Sequence, residues 1–256
     1  MDDTDDFFFN ATLSCYQGTR LYGYSEALIG QYEQSLSQTL AVNVSNADFA
    51  KDAFVRLNWQ MQPRTIHETT VPMNFVYIQC THSLFRICLI PWEEGVLILA
   101  NSSPAVLQPC LNWFSTQFDC AIKPLHISQS ILRHEYNGYL TRTLDGSGIV
   151  VDSQLVFSPP STNGSDLRRI VIGVRGEDIS KFHEANQEDV TIGIFEHLMN
   201  YTGIDFDRLQ LTRVNCAGFV MTSNGKVKLF RRGFNLKEMW HFVSELLRIA
   251  KTTNHT

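Results

Sequence analysis

Residues 211–250 read LTRVNCAGFVMTSNGKVKLFRRGFNLKEMWHFVSELLRIA, and this stretch decides the C-terminal part of the fold. Two β-prone segments flank Asn224-Gly225, a dipeptide that is typical of tight hairpin turns. From Leu236 onward, apolar residues recur at helical spacing behind Asn235, which predicts a capped amphipathic helix. We therefore expect a β-hairpin that leads directly into a C-terminal amphipathic helix.

Positive charge is concentrated in the same region. Between Arg208 and Lys251 there are nine Lys/Arg residues and two Glu residues, a net charge of +7, whereas the whole chain carries −5 and the remainder carries −12. Such an asymmetry predicts a surface for an acidic partner, nucleic acid included. Lys226 and Lys228 alternate with apolar residues and therefore share one strand face, although lysines in such positions can also serve only to blunt a sheet edge.

The overall composition is that of a globular protein. Hydrophobic residues make up 44% of the 256 residues, which allows one large or two small domains. The acidic start of the chain lacks the basic character of a leader peptide, and no apolar run approaches the roughly 20 residues that span a bilayer. The six cysteines are scattered without a CxxC pair, which indicates reduced, buried thiols. We expect a soluble, intracellular protein without membrane contact.

Strand and helix signals alternate along the chain. The first fifteen residues read as a loose or edge segment in which Phe7–Phe9 dock on the rest of the protein. Helices are predicted over 25–40, from 103 onward, over 177–185 and over 188–201, and strands over 75–80, 84–90, 96–100, 120–127, 150–157 and 169–174. These patterns predict an α+β fold of curved antiparallel β-sheets flanked by helices, with an N-terminal half over 1–148 and a C-terminal half over 149–256.

The common sequence motifs of enzymes are missing. There is no GxxxxGKS/T phosphate loop, GxGxxG, GxSxG or HExxH motif. Cys80, His82 and Cys88 would need a fourth ligand to bind zinc, and they lie across an expected hairpin. A Cys120–His126 nucleophilic pair stays open as a cysteine hydrolase hypothesis, because its members need be adjacent only in space. We expect no enzymatic activity, no metal and no cofactor.

Several blocks of the sequence resemble the centromere protein L family. Trp113-Phe114, Phe118-Asp119-Cys120 and Pro124-Leu125 resemble its W-F-x-x-x-F-D-C-x-x-x-P-L run. Further similar blocks are Leu21-Tyr22 with Ser25 and the helix around Tyr32, Leu211-Thr212-Arg213, Asn224–Lys228, and the terminal helix with Glu245-Leu246. The blocks keep their order over residues 20 to 251. Glu26-Ala27 departs from the family's usual Pro-Leu, and the long N-terminal extension of vertebrate members is missing.

The resemblance implies a non-enzymatic structural subunit of the inner kinetochore, located at centromeres in the nucleus. It implies a heterodimer with centromere protein N through sheet-to-sheet contact near the C-terminus, and contacts with other inner-kinetochore subunits. It also implies that the assembled complex faces centromeric nucleosomes that contain the variant histone H3. Whether the chain forms a homodimer in the absence of this partner stays open.

The hairpin 211–230 supplies the candidate binding residues. The expected partner-binding side chains are Val227, Leu229, Phe230, Leu211 and Val220, and the expected DNA-facing side chains are Lys226, Lys228, Arg231, Arg232 and Arg213. Strand addition would bind the protein partner through the main chain, while the cations would face phosphates. An alternative is a cytosolic adaptor that uses the same basic face for an acidic protein partner.

Overall fold

A computed structural model of the chain describes residues 5–45, 53–66, 69–146, 150–159, 168–185, 189–232 and 234–253. The helices are α1 (Asp5–Phe8), α2 (Ile29–Ser45), α3 (Pro104–Gln117), α4 (Gln129–Asp145), α5 (Gly176–Ala185), α6 (Val190–Thr202) and α7 (Leu236–Thr253). The strands are β1 (Thr12–Thr19), β2 (Phe54–Met61), β3 (Arg64–Ile66), β4 (Thr69–Val71), β5 (Asn74–Cys80), β6 (Leu84–Trp92), β7 (Gly95–Asn101), β8 (Ile122–Pro124), β9 (Ser153–Ser158), β10 (Ile170–Val174), β11 (Gln210–Asn215), β12 (Phe219–Thr222) and β13 (Lys226–Leu229). Short 3-10 helices cover Glu26–Leu28 and Phe206–Arg208.

The chain forms two compact units. The first comprises Met1–Leu125 together with Leu236–Thr256, and the second comprises His126–Asn235. The boundary expected between residues 148 and 149 falls inside the second unit, because α4 packs against β11 and stays with the strands that follow it. The terminal helix α7, expected in the C-terminal half, belongs to the first unit, where it packs against β7 and β3.

The first unit is built on an antiparallel sheet. Its strands lie in the order β1-β7-β6-β5-β2, β8 pairs with part of β1, and β3 and β4 form a separate hairpin. The meander expected from three apolar runs is confirmed as β5-β6-β7, in which Cys88 lies opposite Leu99 and Ile87 opposite Ala100. Helices α2 and α3 pack on each other, and α2 packs on β2, so that these helices cover one face of the sheet.

An aromatic cluster fills the space beneath these helices. The Tyr32 ring lies 5.9 Å from Trp59, 6.4 Å from Trp113 and 5.1 Å from Phe118, measured between ring centroids. The Trp113 indole also donates a hydrogen bond to Ser35 Oγ at 3.2 Å. The aromatic residues of the family-like block that begins in α3 therefore have a structural role, because their large apolar area is buried and edge-to-face contacts add to it.

The N-terminal segment is more ordered than the sequence indicates. Residues 12–19 form β1, which pairs with β7 from Ser14 to Thr19 and with β8, instead of the loose or edge segment that we expected. Phe7 contacts Phe75 and Phe8 contacts Trp240, with ring centroids 6.0 and 5.2 Å apart, so the expected docking of the phenylalanines is confirmed. The local pattern of residues 12–19 does not predict a strand. Pairing with β7, which is remote in sequence, stabilises the strand, and a local pattern cannot reveal such a partner.

The second unit has strands in the order β10-β9-β11-β12-β13, all antiparallel, with helices on one face. Tyr139 of α4 contacts Phe219 at 5.9 Å, and Phe195 of α6 contacts Phe157 at 5.8 Å. The sequence patterns did not predict helix α4, and of the strand expected over 120–127 only Ile122–Pro124 forms. Helix α6 ends at Gly203, whose φ of 69° lies in the left-handed region that favours glycine. The fold is therefore α+β, as the sequence predicted.

Candidate nucleic-acid interface

The hairpin of the second unit separates its side chains strictly by face. Phe219, Met221, Val227 and Leu229 each have at most 1% of their surface exposed, and Phe219 contacts Tyr139 of α4. Because side chains alternate along a strand, the residues between them point to the opposite face of the sheet. We refer to this opposite face, formed by β9–β13, as the outer face.

Cations occupy the outer face and its border. Arg213 on β11 lies opposite Thr222 on β12, and Lys228 on β13 lies opposite Val220. Arg213 and Lys226 are exposed, while Lys228 is half-buried and its ammonium group lies 5.3 Å from the centroid of the Phe230 ring. With strands about 4.8 Å apart, cations on β11 and β13 are separated by about 10 Å, so the charges spread across the sheet. Arg231 and Arg232 extend the basic surface beyond β13 and are exposed.

Charge in the second unit is divided by layer. The described sheet segments 153–159, 168–174 and 209–232 contain seven Lys/Arg residues and no Asp or Glu, namely Arg168, Arg169, Arg213, Lys226, Lys228, Arg231 and Arg232. The described helical segments 129–145, 175–185 and 189–208 contain nine Asp/Glu and five Lys/Arg residues. Positive charge that is grouped in segments without carboxylates attracts anions.

The five expected DNA-facing residues thus lie together at this surface. The sequence analysis did not single out Arg168 and Arg169, which are exposed immediately before β10. In the sequence, Arg168 and Arg169 are only an Arg-Arg dipeptide before a predicted strand. The pairing of β10 with β9 shows that they lie beside the basic sheet.

The expected partner-binding residues fall into two groups. Val227, Leu229 and Leu211 are each 1% exposed, so in this conformation their side chains support the interior of the sheet. Val220 and Phe230 are half-buried and remain partly accessible. In addition, β11 lies between β9 and β12, and β12 lies between β11 and β13. These two hairpin strands therefore have no open edge at which a partner strand could add, which limits the expected role of the hairpin.

An open edge does exist at β10. Among the described strands it pairs only with β9, through residues 170–174. Its sequence, Ile170-Val-Ile-Gly-Val174, contains no charge and no proline, and the Val171 side chain is 45% exposed. Proteins usually protect an edge strand with charges, proline or a covering element, so an unprotected apolar edge is suited to strand addition by a partner.

The Cys120 thiol is poorly placed for nucleophilic catalysis. It is 4% exposed, its Sγ donates to the Phe114 carbonyl oxygen at 3.5 Å, and burial raises its pKa to about 11. A catalytic cysteine requires the opposite shift, toward the thiolate. Cys80 and Cys88 are buried in β5 and β6, and the described residues contain no group of three potential metal ligands. In the part of the chain that the structure covers, no helix is long and apolar enough to cross a membrane.

The fold and the outer face define a class, an α+β protein built on antiparallel sheet with a cationic face suited to anionic partners. The model of the CENP-L family, Centromere protein L, matches residues 96–251, which is more than half of the chain, and the chain belongs to this family. It is therefore a kinetochore protein that resides at the centromere in the nucleus, and the alternative of a cytosolic adaptor is set aside. No curated protein matches the chain.

Proposed function

We propose that this protein is a non-enzymatic structural subunit of the inner kinetochore that pairs with centromere protein N and helps to link centromeric chromatin to the kinetochore. The observation that carries the proposal is the division of charge in the second unit, whose described sheet segments contain seven cations and no carboxylate. The chain belongs to the centromere protein L family, and this membership supports DNA as the anionic partner.

In this proposal the outer face contacts the phosphates of DNA. Lys226 and Lys228 on β13 and Arg213 on β11 share the outer face, and Arg231 and Arg232 follow β13 directly. Contacts of this kind neutralise phosphates and release counterions, so they supply affinity without sequence preference. The protein would then bind the DNA of a nucleosome wherever its partners position it.

Pairing with centromere protein N would use the open edge of β10. Strand addition needs free main-chain donors and acceptors and an accessible row of side chains. Among the strands of the second unit, β11 and β12 are paired on both edges, whereas β10 has one neighbour among the described residues. Arg168 and Arg169 precede this edge and would face an acidic part of the partner strand or the DNA beside it.

A charge-reversal experiment tests the DNA-facing half of the proposal. Binding of a duplex DNA fragment to the complex with centromere protein N is measured by fluorescence anisotropy at several salt concentrations, with Lys226→Glu/Lys228→Glu in place of the wild-type chain. Affinity should fall at least about tenfold at low salt, and the slope of log K against log salt should flatten by about 0.9 for each phosphate that the variant no longer neutralises.

The matched control is Arg175→Glu/Lys181→Glu, which makes the same charge change on the helical layer. Both residues are exposed, and within the described residues their side chains form only surface ion pairs, so their replacement should affect folding little. If both double variants lower affinity equally, only net charge matters and the outer face is not the DNA contact. If neither lowers it, the DNA-facing role of the sheet is excluded.

A further inference from the structure

Strand β2 lies at an edge of the antiparallel sheet in the first unit. Among the described strands it pairs only with β5, and with 8 residues it is longer than the edge strand β10, which has 5. Its sequence, Phe-Val-Arg-Leu-Asn-Trp-Gln-Met, contains one charged residue and no proline. A long edge strand with so little protection in its own sequence offers a row of main-chain groups to the strands of other chains.

The direction of the main-chain groups along β2 follows from its pairing with β5. The Gln62 N–H, just beyond the last strand residue, donates to the Met73 carbonyl oxygen at 2.8 Å. In an antiparallel pair, residues that bond to the partner strand alternate with residues that do not. In the register that places Trp59 opposite Val76, the N–H and C=O of Trp59 therefore point away from β5, toward the open edge.

A carboxylate of helix α2 binds this outward N–H. Glu33 Oε2 accepts a hydrogen bond from the Trp59 N–H at 3.2 Å, although the two residues are 26 positions apart in sequence. A hydrogen bond to an ionised carboxylate is stronger than one between neutral groups. The contact lies inside β2, two residues before its last residue, so it interrupts the row of main-chain donors to which a second strand would have to bind.

The packing around Trp59 holds both groups in position. The Trp59 side chain is 4% exposed, and its indole N–H donates to Asn74 Oδ1 at 3.3 Å. Tyr32 precedes Glu33 on α2, and its buried ring contacts that of Trp59 in the aromatic cluster. Since the core fixes Tyr32 and Trp59, the Glu33 backbone is held beside the Trp59 N–H, and little conformational entropy is lost when the carboxylate binds it.

Irregular pairing protects the beginning of the same strand. The register of β2 against β5 shifts between Phe54 and Arg56, as it does at a β-bulge. Bulges twist an edge strand away from a regular partner strand and are a common means of preventing association between edges. Strand β2 therefore has two protective features, the irregular pairing near its start and the Glu33 contact near its end.

We propose that Glu33 closes the edge of β2 to the strands of other chains, including β2 of a second copy of this protein, and that strand addition is thereby directed to β10. An incoming strand would have to place a carbonyl oxygen at the Trp59 N–H, where the Glu33 carboxylate already accepts the hydrogen bond and repels a second acceptor. The direction of a partner to β10 rests on the proposed function, whereas the closure of β2 does not depend on it.

Amide hydrogen exchange in the full chain, followed by NMR, tests the hydrogen bond itself. In the wild-type chain, after correction for intrinsic rates, the Trp59 amide should exchange at least about tenfold more slowly than the Leu57 amide, which also points to the open edge. Glu33→Ala should remove this difference, whereas Glu33→Gln should retain most of it because Gln keeps an acceptor oxygen. Alanine has the highest helix propensity, so α2 should still fold in the Glu33→Ala chain.

Sedimentation velocity at several protein concentrations tests the closure of the edge. Both chains that are compared carry Val171→Lys, which places a lysine on β10 and keeps that edge out of the measurement. Adding Glu33→Ala should produce dimers at a concentration at least about tenfold lower than in the parent chain, since β2 can then pair with its own copy about a twofold axis. In these dimers the Leu57 amide should become protected from exchange.

The matched control is Glu26→Ala, which removes an exposed carboxylate elsewhere in the first unit and should leave association unchanged. Equal exchange rates at Trp59 and Leu57 in the wild-type chain would overturn the proposal. So would a Glu33→Ala chain that associates no more than the Glu26→Ala chain, or dimers in which Leu57 stays unprotected. Binding of centromere protein N to the Val171→Lys chain is measured separately, so a failure of the proposed function is distinguishable from a failure of this inference.

Discussion

At the scale of the residue, burial decides what the side chains of the C-terminal hairpin can do. Val227 and Leu229 alternate with lysines, and sequence alone presents them as one accessible apolar pair. In the structure each is 1% exposed and lies on the face that α4 and α6 cover, while Val220 on the neighbouring strand is only half-buried. Alternation identifies two faces of a strand, but it does not say which face a helix will cover.

The difference in burial between Leu229 and Val220 predicts different losses of stability when each side chain is truncated. Leu229→Ala should lower the free energy of unfolding by about 2–5 kcal/mol, because it leaves a cavity in a close-packed interior. Val220→Ala, on the outer face, should cost less than about 1 kcal/mol. Urea denaturation followed by circular dichroism measures both. A stable Leu229→Ala variant that fails to bind centromere protein N would contradict this assignment and restore Leu229 as a contact residue.

At the scale of the element, strand order matters more than strand chemistry. The hairpin has the more conspicuous sequence, yet β11 and β12 have neighbours on both sides, and the uncharged strand β10 lies at the end of the order. Strand β10 carries no Lys, Asp, Glu or Pro that would protect it from another strand. Partner binding by strand addition is thus a property of position within a sheet.

Introducing a charge at this edge tests the role of β10. Val171→Lys should lower the affinity for centromere protein N about tenfold or more, because a partner strand would have to bury the ammonium group beside its own side chains. Isothermal titration of the two purified proteins measures the change. Val42→Lys is the control, since Val42 is also exposed but lies on α2 of the first unit. Unchanged affinity of the Val171→Lys chain would exclude β10 as the docking edge.

At the scale of the whole molecule, the C-terminal helix α7 belongs to the first unit, although the second unit precedes it in sequence. Residues 126–235 form the second unit, and α7 then supplies buried side chains to the first, among them Met239, Phe242, Val243, Leu246 and Ala250. Phe8 near the N-terminus packs against Trp240 of α7, so both ends of the chain contribute to one core. The first unit is therefore discontinuous in sequence.

Discontinuity predicts how fragments of the protein behave. A fragment of residues 1–125 should not fold alone, because the sheet face that α7 covers would be exposed to water. The same fragment joined through a flexible Gly/Ser linker of about 20 residues to residues 236–256 should recover a cooperative thermal transition, monitored by circular dichroism. A fragment of residues 126–235 should fold in the absence of both segments of the first unit. Cooperative folding of 1–125 by itself would show that α7 is dispensable for the first unit.

The sequence alone determined the elements whose signals are local. The β5-β6-β7 meander, helix α3 after Ser103-Pro104, the turn at Asn224-Gly225, the amphipathic α7 and the concentration of cations in the C-terminal region all follow from short-range patterns. Those patterns depend on period, turn chemistry and charge, which a single segment carries by itself. The ordered family-like blocks were also readable from the chain, and they led to the correct family.

Only the tertiary structure decided which surfaces are available. It paired β1 with β7, added the weakly patterned helix α4, left β10 at an open edge and separated an acidic helical layer from a basic sheet layer. These features depend on contacts between residues that are far apart along the chain, and their energies exceed local propensities. Burial of Val227 and Leu229, and with it the role of the hairpin, is likewise a property of packing, which no single segment encodes.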